Sequence, residues 1–238
     1  MKIVVNPTWR CQLSCAYCWV RGLGITPGPE EPPSAWLAFL RTLPKPLTVD
    51  LSGGEPTLYA GLFDLLYGLT RMGATWAITT NLVDDAAYHN LRVNRIPGCG
   101  ALNVSAHAGG PADLYERARA LADAGYPVRV NVVDHPAARP IPPGLDGSVI
   151  PYQAWIEGAA LDGVTRRCDA GREHIVCGPD GAVYRCAVEM QVGAAPLGLI
   201  GQGWAAIAPV EPHVCRLGCS TCYTANPAAW QVRMEGLT

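Results

Sequence analysis

The residues best suited to chemistry in this 238-residue sequence are its ten cysteines, nine of which fall in two groups toward the ends of the chain. Cys11, Cys15 and Cys18 follow the first β-like run with three and then two intervening residues. Three thiolates on one tight loop can ligate three irons of a cubane [4Fe-4S] cluster, whereas ordinary electron-transfer clusters take four. The fourth iron is then open, and an open coordination position marks a catalytic metal centre rather than a structural one. Zinc is the competing reading, but it favours four ligands and local Cys-x2-Cys pairs. Farther along, Gly53-Gly54-Glu55-Pro56 combines glycines, which let backbone approach a ligand, with a carboxylate. Cys168, Cys177, Cys186, Cys215, Cys219 and Cys222 form the second group, and they frame a hairpin whose turn is Gly178-Pro179-Asp180-Gly181. Four or more thiols around a hairpin suit a complete cluster site, with a structural zinc as the alternative. Cys99, in a Pro-Gly-Cys-Gly stretch, reads as a plain loop or core thiol.

The first spacing, with aromatic Tyr17 directly before the third cysteine, resembles the radical S-adenosylmethionine (SAM) superfamily. The resemblance implies that the SAM amino and carboxylate groups chelate the open iron of the cluster on Cys11, Cys15 and Cys18. One electron would then cleave SAM to a 5′-deoxyadenosyl radical that abstracts a hydrogen atom from substrate. An external one-electron donor such as flavodoxin or ferredoxin would supply that electron. Gly53, Gly54 and Glu55 resemble the family's Gly-Gly-Glu-Pro motif, which meets the SAM ammonium group. The same likeness implies SAM contacts for strand-end Thr80, Asn81, Ser105 and Asn131. His107, which follows the fourth strand, becomes the candidate catalytic residue facing substrate.

The second group resembles the auxiliary-cluster domains called SPASM and, in shortened form, twitch. Cys168-Asp-Ala-Gly precedes the hairpin and Tyr184-Arg-Cys186 closes it. Six cysteines rather than seven fit a single auxiliary [4Fe-4S] cluster. The resemblance implies Cys168, Cys186, Cys219 and Cys222 as its ligands, with Cys215 as first substitute. Cys177, inside a hairpin strand, reads as a buried thiol.

These residues need elements to hold them. Runs at Ile3–Asn6, Leu47–Ser52, Thr75–Thr80, Ala101–Ser105, Pro127–Val133 and Ser148–Tyr152 read as strands. Stretches at Ser34–Leu43, Leu62–Met72, Asp84–Leu91 and Ala112–Ala124 read as helices, with Ser34 as a cap. Strands alternating with helices predict a parallel sheet. Six strands are too few for a full eight-unit barrel. The expected fold is therefore α/β: a partial (β/α)6 TIM-like barrel over residues 1–162, followed by a small cysteine-rich β-hairpin domain over 163–238.

A hydrophobic fraction of 49% with 16% charged residues excludes a disordered chain. A net charge of −2 gives no pull toward nucleic acid or membrane surfaces. No signal segment or membrane-length apolar run is evident, so a cytoplasmic location is expected, where clustered thiols point to metal or redox chemistry rather than structural disulfides. Three substrate classes follow from the resemblance: a small molecule, a ribosomally made peptide, or a nucleobase read through a basic mouth of Arg166, Arg167, Arg172 and Arg185. The chain opens on the first strand, so a leader-gripping domain would have to come from a separate protein. Oxidation or rearrangement of a small molecule or modified residue is the favoured outcome. A non-catalytic iron–sulfur carrier or a zinc-stapled binding module is the competing class, and neither needs the Gly-Gly-Glu-Pro turn.

Overall fold

The computed structural model describes residues 1–22, 24–134, 139–151, 166–168, 170–191, 193–209 and 213–215. Strands β1 (Lys2–Val5), β2 (Thr48–Leu51), β3 (Thr75–Thr80), β4 (Cys99–Ala106), β5 (Val128–Asp134) and β6 (Gly147–Pro151) pair in chain order. Every pairing among them is parallel. Helices α1 (Trp19–Gly22), α2 (Pro33–Thr42), α3 (Leu62–Arg71), α4 (Asp85–Val93) and α5 (Leu114–Asp123) fill the first four crossovers. The described residues joining β5 to β6 carry none. This is the partial TIM-like barrel that the alternation of patterns predicts.

Each helix forms for a local reason. Pro33 occupies the first turn of α2, where its missing N–H costs nothing, and Trp36, Phe39 and Leu40 make one buried stripe. Ser34 does not cap this helix: the capping position is Pro32, which makes no side-chain bond, and Ser34 sits inside the first turn. Helix α3 buries Leu62, Leu65, Leu66 and Leu69 and ends before Gly73, whose φ of +67° suits glycine. Asp84 caps α4 by accepting from the Ala87 amide at 2.7 Å.

Strand parity divides the sheet between core and cavity. Ile3, Val5, Val49, Leu51, Ile78, Leu102, Val104, Val130 and Val132 are buried in the hydrophobic core. The alternate residues Val4, Asp50, Ser52, Thr79, Asn103, Ser105, Asn131 and Val133 line a cavity on the other face.

The cysteine-rich hairpin joins this sheet. Strands β8 (His174–Cys177) and β9 (Ala182–Tyr184) pair antiparallel, β8 pairs parallel with β1, and β10 (Gly198–Leu199) completes a nine-stranded order. The Asn6 side chain fastens the junction, donating to the Cys177 carbonyl at 2.9 Å. A separate ribbon pairs β7 (Arg166–Cys168) with β11 (His213–Cys215). Helix α6 (Ala187–Gln191) follows Cys186, and α7 (Trp204–Ile207) packs near α2. Among the described residues no helix is long and apolar enough to cross a membrane.

Candidate functional site

A cavity of about 560 Å³ opens at the C-terminal ends of the barrel strands, within the range of small-molecule and cofactor sites. Cys11, Cys15 and Cys18 all line it. So do Tyr17, Gly53, Gly54, Glu55, Thr80, Asn81, Ser105, His107 and Asn131. Twelve residues singled out along 121 positions of sequence therefore converge on one space.

The cysteine loop is held from below by the Gly-Gly-Glu-Pro turn. The Gly54 amide donates to the Thr8 carbonyl at 3.0 Å and the Glu55 amide to the Arg10 carbonyl at 2.7 Å. A Cβ on Gly53, whose φ is +111°, would stand 2.7 Å from the Thr8 carbonyl oxygen. One on Gly54 would collide with the Trp9 and Arg10 backbone. The close approach that requires both glycines is thus made by the chain's own cysteine loop, a reason the sequence alone did not suggest. Glu30 grips the same loop from the side. It accepts from Thr8 Oγ1 at 2.5 Å and from Arg10 Nε and Nη2 at 2.8 and 2.9 Å. Arg10 Nη2 reaches on to the Leu58 carbonyl at 2.6 Å.

Glu55 is 1% exposed. Its Oε1 accepts from the Thr57 amide, the Thr57 hydroxyl and the Thr80 hydroxyl at 3.1, 2.8 and 2.7 Å. Its Oε2 accepts from the Asn81 amide at 2.7 Å, which leaves acceptor capacity on that oxygen. Desolvation pushes the carboxyl pKa up, and these donors act against it. Thr80 is spent on Glu55 and on the Leu82 amide, so its hydroxyl braces the site. Leu82 adopts φ +53°, a left-handed conformation that costs about 1 kcal/mol or more for a non-glycine residue. It turns the chain just after Asn81.

Tyr17 Oη lies 2.8 Å from His107 Nδ1, tying the cysteine loop to the end of β4. Burial lowers the His107 pKa and favours the neutral ring. Burial also raises the Cys11 and Cys15 thiols above their ordinary range. Asn131 accepts from the Ser148 hydroxyl at 2.9 Å, so β6 satisfies part of its amide.

The donor set suits an iron–sulfur cubane. Three thiols from one loop face a cavity with further polar room beside them. A cubane takes one thiolate per iron corner, so its ligands stand apart rather than converge on one ion.

In the second group, Cys168 is buried and its Sγ accepts from the Ala170 amide at 3.4 Å. Cys186 Sγ accepts from the Glu189 amide at 3.4 Å. Their segments adjoin, since a Cβ on Gly171 would meet the Arg185 side chain at 2.8 Å. The β7–β11 register sets His213 opposite Cys168, which brings Cys215 two residues along the partner strand. Cys219 and Cys222 lie outside the described residues. Cys177 is wholly buried on β8, and desolvation raises its thiol pKa strongly. Cys99 begins β4, its thiol pushed up to about 12 by burial.

Some cavity residues escaped the sequence reading. Asp50 and Asn103 stand two positions before Ser52 and Ser105 on the same strand faces, and His174 enters from β8. The period-two rule applied backward from Ser105 would have found Asn103. Neither Arg172 nor Arg185 lines the cavity, and Arg185 lies 3.5 Å from Glu189.

No protein-family model matches the chain, and no curated protein sequence matches it. Solved structures do. SuiB of Streptococcus suis bound to precursor peptide SuiA gives a TM-score of 0.61 at 15% identity, over 82% of this chain and 61% of SuiB. This chain therefore spans about three-fifths of that protein's length. SuiB has also been solved with S-adenosylmethionine. The structure of anSMEcpe with bound AdoMet and Cp18Cys peptide gives 0.59 at 13% identity, over 87% of this chain and 79% of that one. BtrN in an open conformation gives 0.53 at 17% identity, over 87% and 78%. At such identities the likeness establishes a shared fold.

Proposed function

We propose that the chain is a radical SAM enzyme, with a [4Fe-4S] cluster on Cys11, Cys15 and Cys18 and SAM in the adjoining cavity. The observation that carries this reading is the convergence of the three cysteines and Glu55 on one cavity. Two structures that share the fold contain SAM, which supports the assignment. Held by Cys11, Cys15 and Cys18, the cluster would supply one-electron reduction of SAM, the source of a radical for hydrogen abstraction. The protein's own part is positioning. Glu55 Oε2, fixed by the Asn81 amide, offers its remaining acceptor position to the SAM ammonium. Ser105 and Asn131 line the wall suited to the rest of the molecule. His107, neutral and held through Nδ1 by Tyr17, faces the cavity as a donor or acceptor for substrate.

The substrate reading is a small polar molecule or modified residue that is oxidised or rearranged. Asp50 and Asn103 favour it. TIM-like barrels ordinarily fill their interior with branched apolar side chains, whereas these inward positions are polar. Asn103 is 8% exposed and lines the cavity, where its amide is open to a polar ligand group. A peptide side chain is the second reading, favoured by the peptides bound in the SuiB and anSMEcpe structures. The auxiliary cluster belongs to the proposal too. Cys168 and Cys186 each receive a backbone N–H, and Ala187, next to Cys186, lines the main cavity. Cys215 or the Cys219–Cys222 segment would complete that set, and a flavodoxin or ferredoxin would serve as donor.

Anaerobic reconstitution with iron and sulfide, then dithionite and SAM, tests the assignment. Formation of 5′-deoxyadenosine, with about one cubane lost in Cys11→Ala, is the expected result. A preparation with a full iron complement that leaves SAM intact, or a Cys11→Ala variant that keeps every iron, overturns it.

A further inference from the structure

Asn81 is placed by more bonds than a strand-end asparagine needs. Its backbone amide donates to Glu55 Oε2 at 2.7 Å. Its side-chain Oδ1 accepts from the Val83 amide at 2.9 Å. That second bond fixes which way the amide faces, because a backbone N–H can only donate and the Asn81 NH₂ cannot receive it. Nδ2 is thereby turned toward the cysteine loop, 3.7 Å from Cys11 Sγ and 3.5 Å from Gln12 Oε1. Leu82, in its left-handed conformation, makes the tight turn that lets Val83 reach back.

We propose that Asn81 is a tuning residue for the cluster: its side-chain N–H donates to Cys11 Sγ and raises the reduction potential of the centre held there. The inference rests on the cluster assignment above. Its physical basis is electrostatic. Adding one electron to a cubane increases the negative charge on its sulfurs, and a donor aimed at one of them stabilises the reduced form more than the oxidised form. Reduction by an external donor becomes easier. The Glu55–Asn81 bond gives the Gly-Gly-Glu-Pro turn a second task, since the carboxylate that faces SAM also holds the residue that faces the cluster.

The test is an EPR-monitored redox titration of the reconstituted protein. It follows the cluster whose signal changes on addition of SAM, in wild type, Asn81→Ala and Asn81→Asp. The aspartate keeps an oxygen for the Val83 amide but sets an anionic oxygen, rather than an N–H, toward the sulfur. The expected order of midpoint potentials is wild type highest, Asn81→Ala lower and Asn81→Asp lowest, at equal iron content. Variants fully loaded with iron whose potentials equal or exceed the wild-type value overturn the tuning role. A wild-type chain that binds no cubane overturns the cluster assignment instead, and the iron count separates the two failures.

Discussion

Replacing Glu55 with glutamine isolates how far the site is held together by one carboxylate. The two side chains have nearly the same shape, so packing is preserved; the change removes a buried charge, whose desolvation opposed it, and alters the hydrogen-bond inventory. In the protein, four donors converge on the Glu55 oxygens, two of them backbone amides, from Thr57 and Asn81. Glutamine has one acceptor oxygen. Set where Oε1 lies, it keeps the Thr57 and Thr80 partners but points its NH₂ at the Asn81 amide. Turned the other way, it keeps Asn81 and strands the Thr57 amide. Thr80 Oγ1 accepts from the Leu82 amide at 3.1 Å and has a second lone pair for the glutamine NH₂, but its own O–H then loses its acceptor. Either orientation orphans one backbone N–H in a buried site, at about 1–3 kcal/mol. For a chain of this size that is a fall in thermal midpoint of about 2–12 °C. Unfolding of the metal-free protein, followed by far-UV circular dichroism, reads the change apart from any effect on cofactor binding. A Glu55→Gln midpoint equivalent to within about 0.5 kcal/mol of wild type, the range of an inert surface substitution, would refute this account of the turn.

Two other substitutions separate support from binding. Glu30→Gln weakens the two-pronged grip on Arg10, and since Arg10 is half-exposed the loss of stability should stay under about 1 kcal/mol, while iron uptake at the cysteine loop drops clearly. Burial pushes the Glu30 carboxyl up, but its bonds with Arg10 and Thr8 hold it below its ordinary value. Its contribution is therefore present above that ordinary pKa and fades as pH falls through the lowered one; an iron content that is insensitive to Glu30→Gln would show the clamp to be irrelevant. Asn103→Leu should leave the thermal midpoint of the metal-free chain within about 0.5 kcal/mol of wild type, because the side chain faces the cavity rather than the core. A lowered midpoint would mean that Asn103 serves the fold.

The barrel was legible because its signals are local. Apolar runs such as Trp76–Thr80 and Val128–Val133 alternate with stripes such as Leu62, Leu65, Leu66 and Leu69, and period alone separates strand from helix. The cysteine loop and the Gly-Gly-Glu-Pro turn were legible for the same reason, as short motifs at fixed spacing. What could not be read is what depends on distance in sequence. Nothing in His174–Cys177 says that it will lie parallel to Lys2–Val5, on the side of β1 opposite β2. Glu30 gives no sign that it will clamp Thr8 and Arg10. Ser34 looked like a cap because serine favours that position, but Pro33 begins the helix and leaves the cap to Pro32.

Parity along the strands also says where this protein can change and where it cannot. On β4, Leu102 and Val104 face the helices and are fully buried, while Asn103 and Ser105 face the cavity. A one-residue slip in register would exchange the two sets, sending polar amides into the core and leucine into the site. Core packing therefore fixes the register, and the register in turn aims Asn103, Ser105 and, one step beyond, His107. Substitutions among the cavity-facing residues can alter what is bound at little cost to folding, because the apolar rows carry the stability. Cys11, Glu55 and Asn81 do not share that freedom. Asn81 bonds both Glu55 and Cys11 and so links three separate loops, and this coupled trio is the part of the cavity least able to drift.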